Sequence, residues 1–397
     1  MPYAKLNRDE ILMRSLSARA NKVEIERDFV DPERAVSAAS PRVRKAAAAA
    51  AEDIRRARTA SASVMLAFGA HAVKNGLGPL LIRLIEGGWI THLATNGAGI
   101  IHDWEFAFQG ASSEDVRANV AVGQFGLWEE TGYYLNLAIN VGAYEGLGYG
   151  EAVGALVERE GVAIPSREIL RAAAERAARG RTGSGPHSER AGGAGTGAAG
   201  GGGARDAQTA AAALDLLAVV DRFSLEPGFL AVPHPFRRFG LQAAAYRLSV
   251  PFTGHPMFGH DIIYAHPMNM GAAIGRTAER DFLTFAEGVL RLEHGVYLSI
   301  GSAVMSPMIF EKSLSMARNL AARRGEAIED FSIHVVDLAE SAWDWQAAGE
   351  PPPTDPAYYL RYAKTFSRMG GRMRYVQADN RDFLVALYSE LRSAATS

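Results

Sequence analysis

The stretch from Ser63 to Glu105, SVMLAFGAHAVKNGLGPLLIRLIEGGWITHLATNGAGIIHDWE, decides the predicted fold. It opens with the unbroken apolar run Val64–Phe68, which is typical of a parallel strand buried on both faces. Leucine and isoleucine then recur at helical spacing over 77–84, and Gly87 ends that helix. A second short strand is predicted at Trp89–Ala94. Two parallel strands joined through a helix predict half of a dinucleotide-binding sheet, whose ligand lies outside the carboxyl ends of the strands.

The same alternation of strand and helix continues along the chain. Further strands are predicted at Ser249–Phe252, Gly295–Ile300 and Phe331–Leu338, and helices at Arg167–Arg179, Ala207–Phe223, Leu241–Leu248, Asp281–Leu292 and Met308–Arg323. Another helix is predicted to begin with Ser112 or Ser113 as its N-cap. The predicted fold class is therefore α/β, a Rossmann-like and mostly parallel sheet with helices on both faces.

The organisation of the chain follows from two changes in composition. Residues 1–60 are predicted to be helical, with helices opening at Pro32 and Pro41, and to form a layer over the sheet or a regulatory arm. Residues 61–397 form the predicted α/β domain. The segment 180–206 is dominated by glycine and has no large apolar side chains, so it predicts a disordered surface insertion.

Composition and charge exclude several classes of protein. The chain has 397 residues, 48% of them hydrophobic, and a formal net charge of -2, which gives no general signal for nucleic-acid binding. The absence of cysteine excludes disulfides and thiolate metal sites. The first residues lack the apolar segment of a secretory signal, and no apolar run has the length of a membrane span. We therefore expect a soluble, cytoplasmic protein with neither nucleic-acid nor membrane partners.

Small-residue turns follow four predicted strands. They are Gly69-Ala70, Asn96-Gly97-Ala98-Gly99, Thr253-Gly254 and Gly301-Ser302. Glycine lets a ligand approach the backbone closely, and helix N-termini attract phosphates. None of the turns matches G-x-G-x-x-G, so together they indicate a nucleotide site without indicating a plain Rossmann dehydrogenase.

Two groups of polar side chains suggest further chemistry. His255, His260, Asp261 and His266 are possible metal ligands, joined in principle by His102 and Asp103. Because their spacing matches no ligand motif, we predict no metal and favour hydrogen bonding or the lining of an organic substrate pocket. Glu129 and Glu130 offer either acid/base carboxylates or two side chains that diverge on a helix.

Lys364 is conspicuous because arginine supplies most of the positive charge. It ends the tyrosine-rich segment Pro356–Lys364, which is predicted to be a helix. Desolvation by Tyr362 and its neighbours would lower the pKa of the lysine toward that of a usable nucleophile. The alternative is a lysine whose stem lies along the helix edge with its amine in water.

Several of these segments resemble, in the same order, motifs of the deoxyhypusine synthase family. The similar segments are Gly69–Gly76, Thr95–Asp103, Pro251–Asp261, Gly301–Val304, Asp337–Glu340, Pro356–Lys364 and Ala378-Asp379. Together they extend over most of residues 63–390 outside the glycine-rich segment.

The resemblance implies an NAD-dependent aminoalkyl transferase. In that family a polyamine is oxidised, a lysine captures the aminobutyl group as an imine, and an acceptor amine receives it; the acceptor is a protein lysine or a second polyamine. Lys364 would be the covalent lysine, and the protein a homotetramer. The implied NAD contacts are Gly69, Ala70, His71, Thr95, Asn96, Gly97, Asp261, Gly301, Ser302, Asp337 and Asp379. The implied substrate contacts are His102, Asp103, His260, Met308, Tyr358 and Tyr362.

Two other functions remain open at this point. One is an NAD-dependent enzyme of the same fold that acts on a different small molecule. The other is a non-catalytic protein that binds NAD or a metabolite.

Overall fold

A six-stranded parallel sheet lies at the centre of the computed structural model, which describes residues 3–34, 38–180 and 201–393. The strands are β1 (Val23–Glu24), β2 (Val64–Phe68), β3 (His92–Asn96), β4 (Ala111–Ser112), β5 (Gly161–Ile164), β6 (Gly228–Ala231), β7 (Phe252–His255), β8 (Val296–Ile300), β9 (Ser332–Asp337) and β10 (Arg372–Gln377). In the central sheet the order is β10-β9-β8-β2-β3-β7, and every neighbouring pair is parallel. The pairs β1-β4 and β5-β6 are antiparallel and lie outside it.

Helices connect the strands and cover the sheet. They are α1 (Ile25–Asp28), α2 (Pro41–Thr59), α3 (Ala70–Lys74), α4 (Gly78–Glu86), α5 (Gly97–Gln109), α6 (Val116–Ala121), α7 (Glu129–Glu145), α8 (Tyr149–Arg159), α9 (Arg167–Gly180), α10 (Gly201–Arg222), α11 (Leu241–Arg247), α12 (Gly271–Leu290), α13 (Met305–Arg323), α14 (Arg361–Ser367) and α15 (Asn380–Ser393). Short 3-10 turns occur at Arg8–Glu10, Leu16–Ala18, Arg237–Phe239, Ile262–Ala265 and Pro356–Tyr359. The predicted fold class, Rossmann-like α/β, is confirmed.

The opening strand explains why the sheet needs helices on both faces. All five residues of β2 are buried. Val64, Leu66 and Phe68 belong to one hydrophobic core, whereas Met65 and Ala67 belong to a second. Because successive side chains of a strand point to opposite faces, the two cores lie on opposite sides of the sheet. A strand with this sequence is stable only when both sides are covered.

The N-terminal layer is one long helix preceded by irregular chain. The α2 helix begins at Pro41, and the Ser40 side chain caps it by accepting a hydrogen bond from the N–H of Val43. Its Asp53 carboxylate accepts a hydrogen bond from His334 Nε2 of β9 at 2.8 Å, so a buried polar contact holds the helix to the sheet. Residues 32–34 form a turn and not the predicted helix start.

Several predicted boundaries were wrong for local reasons. The helix expected at Ser112 or Ser113 is capped by Asp115, whose side chain accepts from the N–H of Ala118 at 2.9 Å, while Ser112 pairs in β4. The strand expected at Ser249–Phe252 is Phe252–His255, because Ser249 adopts a positive φ of 55° at the end of α11.

Two further segments differ from expectation. The strand expected at Trp89–Ala94 is His92–Asn96. The Pro356–Lys364 segment is a 3-10 turn followed by α14, because Leu360 leaves the helical region with ψ of 75°.

The predicted glycine-rich insertion lies mostly outside the described residues. Residues 181–200 are not described, whereas α9 extends to Gly180 and α10 begins at Gly201, so both ends of the insertion continue neighbouring helices. Within residues 3–34, 38–180 and 201–393, no helix has the length and apolar character that crossing a membrane requires.

Candidate active site

The turns after β2 and β8 meet at the carboxyl edge of the sheet. A Cβ on Gly69 would overlap the carbonyl oxygen of Gly301, so the two backbones can lie this close only with glycine at position 69. Gly301 has a φ of 56°, and a Cβ there would lie 2.8 Å from the Asn380 side chain. The predicted pair of turns is therefore brought together. The chain order of the strands reverses here, which is where open α/β sheets bind ligands.

The turn after β3 forms the beginning of α5. A carboxylate from another loop lies against it. The Asn96 side chain caps α5 by accepting from the N–H of Gly99 at 2.9 Å. The Asp261 carboxylate, which follows β7, lies so close to Gly97 that a Cβ on Gly97 would overlap it. Tyr264 donates its hydroxyl to Asp261 Oδ2 at 3.1 Å. Burial raises the pKa of Asp261 to about 6, because removal from water disfavours the ionised form.

A cavity of about 350 Å³ opens beside this carboxylate, and we call it the α5 cavity. Its apolar wall includes Ile101, Val116, Phe125 and Ile262, and its polar wall includes Lys74, His102, His260 and Asp261. The predicted residues His102, His260 and Asp261 are thus brought to one place. The sequence analysis did not predict Lys74 as a site residue. Two features could have indicated it: lysine is scarce in this chain, and Lys74 closely follows the first strand-end turn.

A chain of hydrogen bonds fixes the ring of His102. Arg19 binds Glu105 through two parallel bonds of 2.7 Å, and both side chains are buried. Ser112 donates its hydroxyl proton to Glu105 at 2.5 Å. Since that proton is used, the 2.6 Å contact between Ser112 Oγ and His102 Nδ1 requires the histidine to donate. The Nε2 atom of neutral His102 is therefore an acceptor.

Burial and the Arg19–Glu105 pair set the protonation states of the side chains in this hydrogen-bond network. Burial alone would raise the pKa of Glu105, but the Arg19 guanidinium outweighs it and the net shift is downward. Burial lowers the pKa of His102 to about 4, and Lys74, Arg19 and His71 add to that effect while Glu105 opposes it. His102 is therefore neutral at pH 7.

The other charged groups of the α5 cavity have partners, with one exception. Lys22 pairs with Asp115 at 3.0 Å. Glu114 accepts from the N–H of Gly126 and from the Trp128 indole. Lys74 is half-buried and has no ion pair or hydrogen bond among the described residues. The cavity thus contains one cation that is free to meet an anionic group of a ligand.

Of the histidines considered as metal ligands, His255 and His266 do not line the α5 cavity. His255 Nε2 contacts Thr253 Oγ1 at 3.0 Å, and burial lowers the pKa of His255 to about 3. His266 is buried and faces Glu129 at 3.5 Å, while His260 is exposed. In the described ranges no group of three or more metal-ligating side chains occurs.

Glu129 and Glu130 diverge, as adjacent residues of a helix must. Glu129 faces His266, whereas Glu130 accepts hydrogen bonds from the Leu16 N–H at 2.5 Å and from the Ser15 hydroxyl at 2.7 Å. The two carboxylates therefore hold separate parts of the chain and do not form an acid/base pair.

Asp103 lies on the opposite side of α5 from the cavity. It is buried and accepts hydrogen bonds from the N–H groups of Leu241 and Gln242 and from the Gln242 side-chain amide, at 2.9 to 3.0 Å. Burial raises the pKa of Asp103 even though these donors oppose the shift. Its visible role is to anchor the start of α11.

The predicted residues that follow β9, on the β8-β9-β10 side of the sheet, form a separate cluster. The Lys364 Nζ atom lies 3.4 Å from the centre of the Tyr358 ring, and Tyr362 is buried against Tyr375. Asp337 ends β9. Lys364 follows β9 and Asp261 follows β7, four strand positions away across the sheet, or roughly 19 Å at the usual strand spacing. Within one chain the two predicted centres are therefore separate.

Two other predicted residues lie at the surface of this flank. Met308, on the first turn of α13, is 50% exposed. Asp379 is exposed and caps the start of α15 by accepting from the N–H of Arg381 at 2.8 Å.

Comparison with known proteins gives matches among solved structures only. No family model matches the chain, and no curated protein matches it. AgrE, solved in a ternary complex with ornithine and NAD+, is 14% identical with a TM-score of 0.43, over 91% of this chain and 35% of AgrE. ArgZ, an arginine dihydrolase of the cyanobacterial ornithine-ammonia cycle, is 12% identical with a TM-score of 0.40, over 87% of this chain and 32% of ArgZ. The chain thus spans about a third of both.

A third similar structure is more nearly the size of this chain. It is a conserved putative LOR/SDH protein from Methanococcus maripaludis S2, 12% identical with a TM-score of 0.40, over 97% of this chain and 76% of that protein.

These comparisons correct the resemblance drawn from the sequence. The similar structures are AgrE, ArgZ and a LOR/SDH protein, and not deoxyhypusine synthases, so the assignment to the deoxyhypusine synthase family was wrong. Short glycine-containing motifs at strand ends are common to many α/β sheets, and their order alone misled the assignment. The polyamine substrate, the protein-lysine acceptor and the tetramer lose the basis that the resemblance gave them.

Proposed function

We propose that this protein is an NAD-dependent enzyme that acts on a small molecule. The observation that carries the proposal is the strand order. Counted along the chain, the central sheet reads third, second, first, fourth, fifth and sixth strand from β7 to β10. This is the order of the doubly wound sheets that bind dinucleotides across the crevice between their first and fourth strands.

The turns on either side of that crevice are suited to a pyrophosphate. They present Gly69 and Ala70 after β2, and Gly301 and Ser302 after β8. The N–H groups of Gly69 and Gly301 donate to the carbonyl oxygens of Ile300 and Val336, so a phosphate would bind at the N–H groups that follow them, those of Ala70 and Ser302. Lys74 lies at the end of the helix that follows the first turn, and its unpaired ammonium group can neutralise one phosphate charge.

The position of Asp261 indicates where the adenosine half of NAD would bind. In dinucleotide-binding sheets an acidic residue at the end of the second strand binds a ribose hydroxyl. Here that strand ends in Asn96, whose side chain is engaged in capping α5, and Asp261 reaches the same place from the loop after β7. A carboxylate there accepts from the ribose 2′-hydroxyl and repels the 2′-phosphate of NADP.

The nicotinamide half of NAD would then lie over the other side of the sheet, formed by β8, β9 and β10. When bound, NAD supplies a hydride acceptor at its nicotinamide ring. The ionisable side chains of this flank include Asp337, Tyr358 and Lys364. Lys364 is held over the Tyr358 ring, so its ammonium group is in a defined position to bind an anionic or carbonyl group of the substrate.

Calorimetric titration of the full chain with NAD and with NADP tests the cofactor. We expect NAD to bind more tightly than NADP at pH 7.5. Asp261→Asn should weaken NAD binding about tenfold, the usual effect of losing a charged hydrogen-bond acceptor. Asp9→Asn is the matched control, because Asp9 pairs with Arg222 on the surface and should not affect binding. Absence of NAD binding by the wild-type chain would refute the proposal.

Turnover separates an enzyme from a protein that only binds the cofactor. NADH formation should be measured with a panel of small amines, amino acids and hydroxy acids. A substrate should be found whose turnover Lys364→Met reduces while NAD affinity is retained. Tight NAD binding without turnover of any member of the panel would favour a non-catalytic NAD-binding protein.

A further inference from the structure

The α5 cavity has the volume of a compartment for one partly apolar group. Its volume of about 350 Å³ is at the lower end of the range for ligand pockets, about 300–1,000 Å³, which suits a nucleoside better than a whole dinucleotide. Ile101 and Ile262 face the cavity from α5 and from the loop after β7, and Phe125 and Val116 face it from the segment around α6. Such walls favour a heteroaromatic ring between them.

The polar side of the same cavity presents acceptors in fixed positions. Asp261 accepts hydrogen bonds from the Tyr264 hydroxyl and from the backbone N–H of Met257, and has capacity for others. His102 Nδ1 donates to Ser112, because the Ser112 proton is already given to Glu105. Consequently His102 Nε2 has a lone pair, and no described residue donates to it. A ligand that fills the cavity must therefore bring a donor to each acceptor.

The chain of bonds behind His102 makes this requirement stringent. Glu105 is held by two bonds from Arg19 and a third, of 3.1 Å, from Thr131, in addition to the one from Ser112. Three residues donate these four hydrogen bonds to the carboxylate, so Ser112 cannot reverse its hydroxyl without leaving Glu105 short of one. The imidazole cannot then change tautomer at low cost.

We propose that His102 Nε2 accepts a hydrogen bond from the exocyclic amine of adenine and so selects the base of the bound dinucleotide. This inference rests on the proposed function and deepens it. A purine with a carbonyl at the same position, such as hypoxanthine, would place an acceptor against an acceptor. Sites built to receive a donor discriminate strongly against analogues that lack it, since the buried acceptor is left unpaired.

The test compares NAD with nicotinamide hypoxanthine dinucleotide, in which a carbonyl replaces that amine and the adjacent ring nitrogen N1 carries a proton. Calorimetric titration of the full wild-type chain should give at least about tenfold tighter binding of NAD, the ratio expected for one unpaired buried acceptor. Ser112→Ala should reduce this ratio to about threefold or less, because the histidine is then free to present N–H to the carbonyl. Ser313→Ala, a buried serine of α13 whose hydroxyl has no hydrogen-bond partner among the described residues, should leave the ratio unchanged.

A spectroscopic measurement keeps the test independent of the variants. The ring ¹⁵N chemical shifts of His102 in the wild-type protein should show a protonated Nδ1 and an unprotonated Nε2 at pH 7. Equal affinity for the two dinucleotides, an unchanged ratio in Ser112→Ala, or the opposite tautomer would overturn the adenine inference and leave NAD binding intact. A chain that binds neither dinucleotide overturns both this inference and the proposed function.

Discussion

The carboxylate of Asp261 lies directly against the backbone of Gly97, although the two residues belong to loops after different strands. This contact brings a charge to the N-terminal end of α5, where the sequence itself has the neutral Asn96. It depends on the missing side chain at position 97. An ionised carboxylate is favoured at a helix N-terminus, which compensates part of the cost of its burial.

Replacement of Gly97 tests the contact. Gly97→Ala should destabilise the chain by about 1–3 kcal/mol, since the new Cβ must displace a partly buried carboxylate. It should also weaken NAD binding. The control is Gly275→Ala in α12, where a Cβ meets nothing within 4 Å and alanine should stabilise the helix by about 0.5–1 kcal/mol. Thermal and denaturant unfolding measure both, and equal effects of the two substitutions would contradict the packing argument.

The pH dependence of cofactor choice follows from Asp261. Its pKa is raised to about 6, so the side chain is ionised at pH 7.5 and increasingly protonated below pH 6. Protonation removes the repulsion of a 2′-phosphate. We therefore expect the ratio of NADP to NAD affinity to rise as pH falls from 7.5 to 5.5, and Asp261→Asn to give a high ratio throughout. A ratio in the wild-type chain that does not vary with pH would contradict this.

Asp281 should govern the pH dependence of stability. Burial raises its pKa from 3.8 to about 8, so the folded state holds a proton that the unfolded state releases. The stabilisation is complete below pH 4 and is lost as pH rises toward 8. We expect the free energy of unfolding to fall by a few kcal/mol over this interval and Asp281→Asn to flatten the curve. Denaturant titrations from pH 5 to pH 8 measure it, and similar slopes for both proteins would exclude Asp281 as the cause.

The pair formed by Arg19 and Glu105 should be important for stability. Arg19→Met leaves a buried carboxylate without its partner and should cost about 3–5 kcal/mol. Lys22→Met, three residues along the chain, removes an exposed pair with Asp115 and should cost no more than about 1 kcal/mol. Urea unfolding compares them. A small effect of Arg19→Met would mean that Glu105 becomes protonated or hydrated easily in the folded chain.

Lys74 should contribute charge to cofactor binding. Lys74→Met is expected to weaken NAD binding severalfold and to reduce the dependence of affinity on salt concentration, because one phosphate contact is lost. Lys312→Met is the control, since Lys312 is exposed and pairs with Glu311. Titrations at low and high ionic strength give the comparison. Equal salt dependence in wild type and Lys74→Met would place the phosphates elsewhere.

Local patterns were sufficient to predict five of the six strands of the central sheet, whereas β10, an edge strand with two arginines, was missed. The runs Val64–Phe68 and Gly295–Ile300 are mostly apolar because both faces of these strands are buried, so they were recognisable without a structure. Boundaries were less predictable where a side chain competes for the cap. Asp115, and not Ser112, caps the helix, and the Ser112 hydroxyl donates a hydrogen bond to Glu105.

The sequence predicted only those parts of the site that are formed by a single continuous segment. The turns at Gly69, Gly97 and Gly301 could be found because each follows a strand. The partnership of Arg19 with Glu105 could not, since it joins segments far apart in sequence through a tertiary contact. The family assignment failed because short motifs were matched one by one along the sequence, whereas the similar structures are AgrE, ArgZ and a LOR/SDH protein.

The carboxyl group of Asp281 has a further consequence for the edge of the sheet. β7 is an outermost strand, and the N–H of Gly254 points away from β3 to Asp281 Oδ2 at 2.6 Å. The same oxygen accepts from the N–H of Gly150, which brings the start of α8 over the carbonyl of Phe252. An exposed strand edge is a template on which other chains can add strands and aggregate. By occupying the outward N–H and holding a helix over the neighbouring carbonyl, Asp281 protects the molecule against edge-to-edge association at β7.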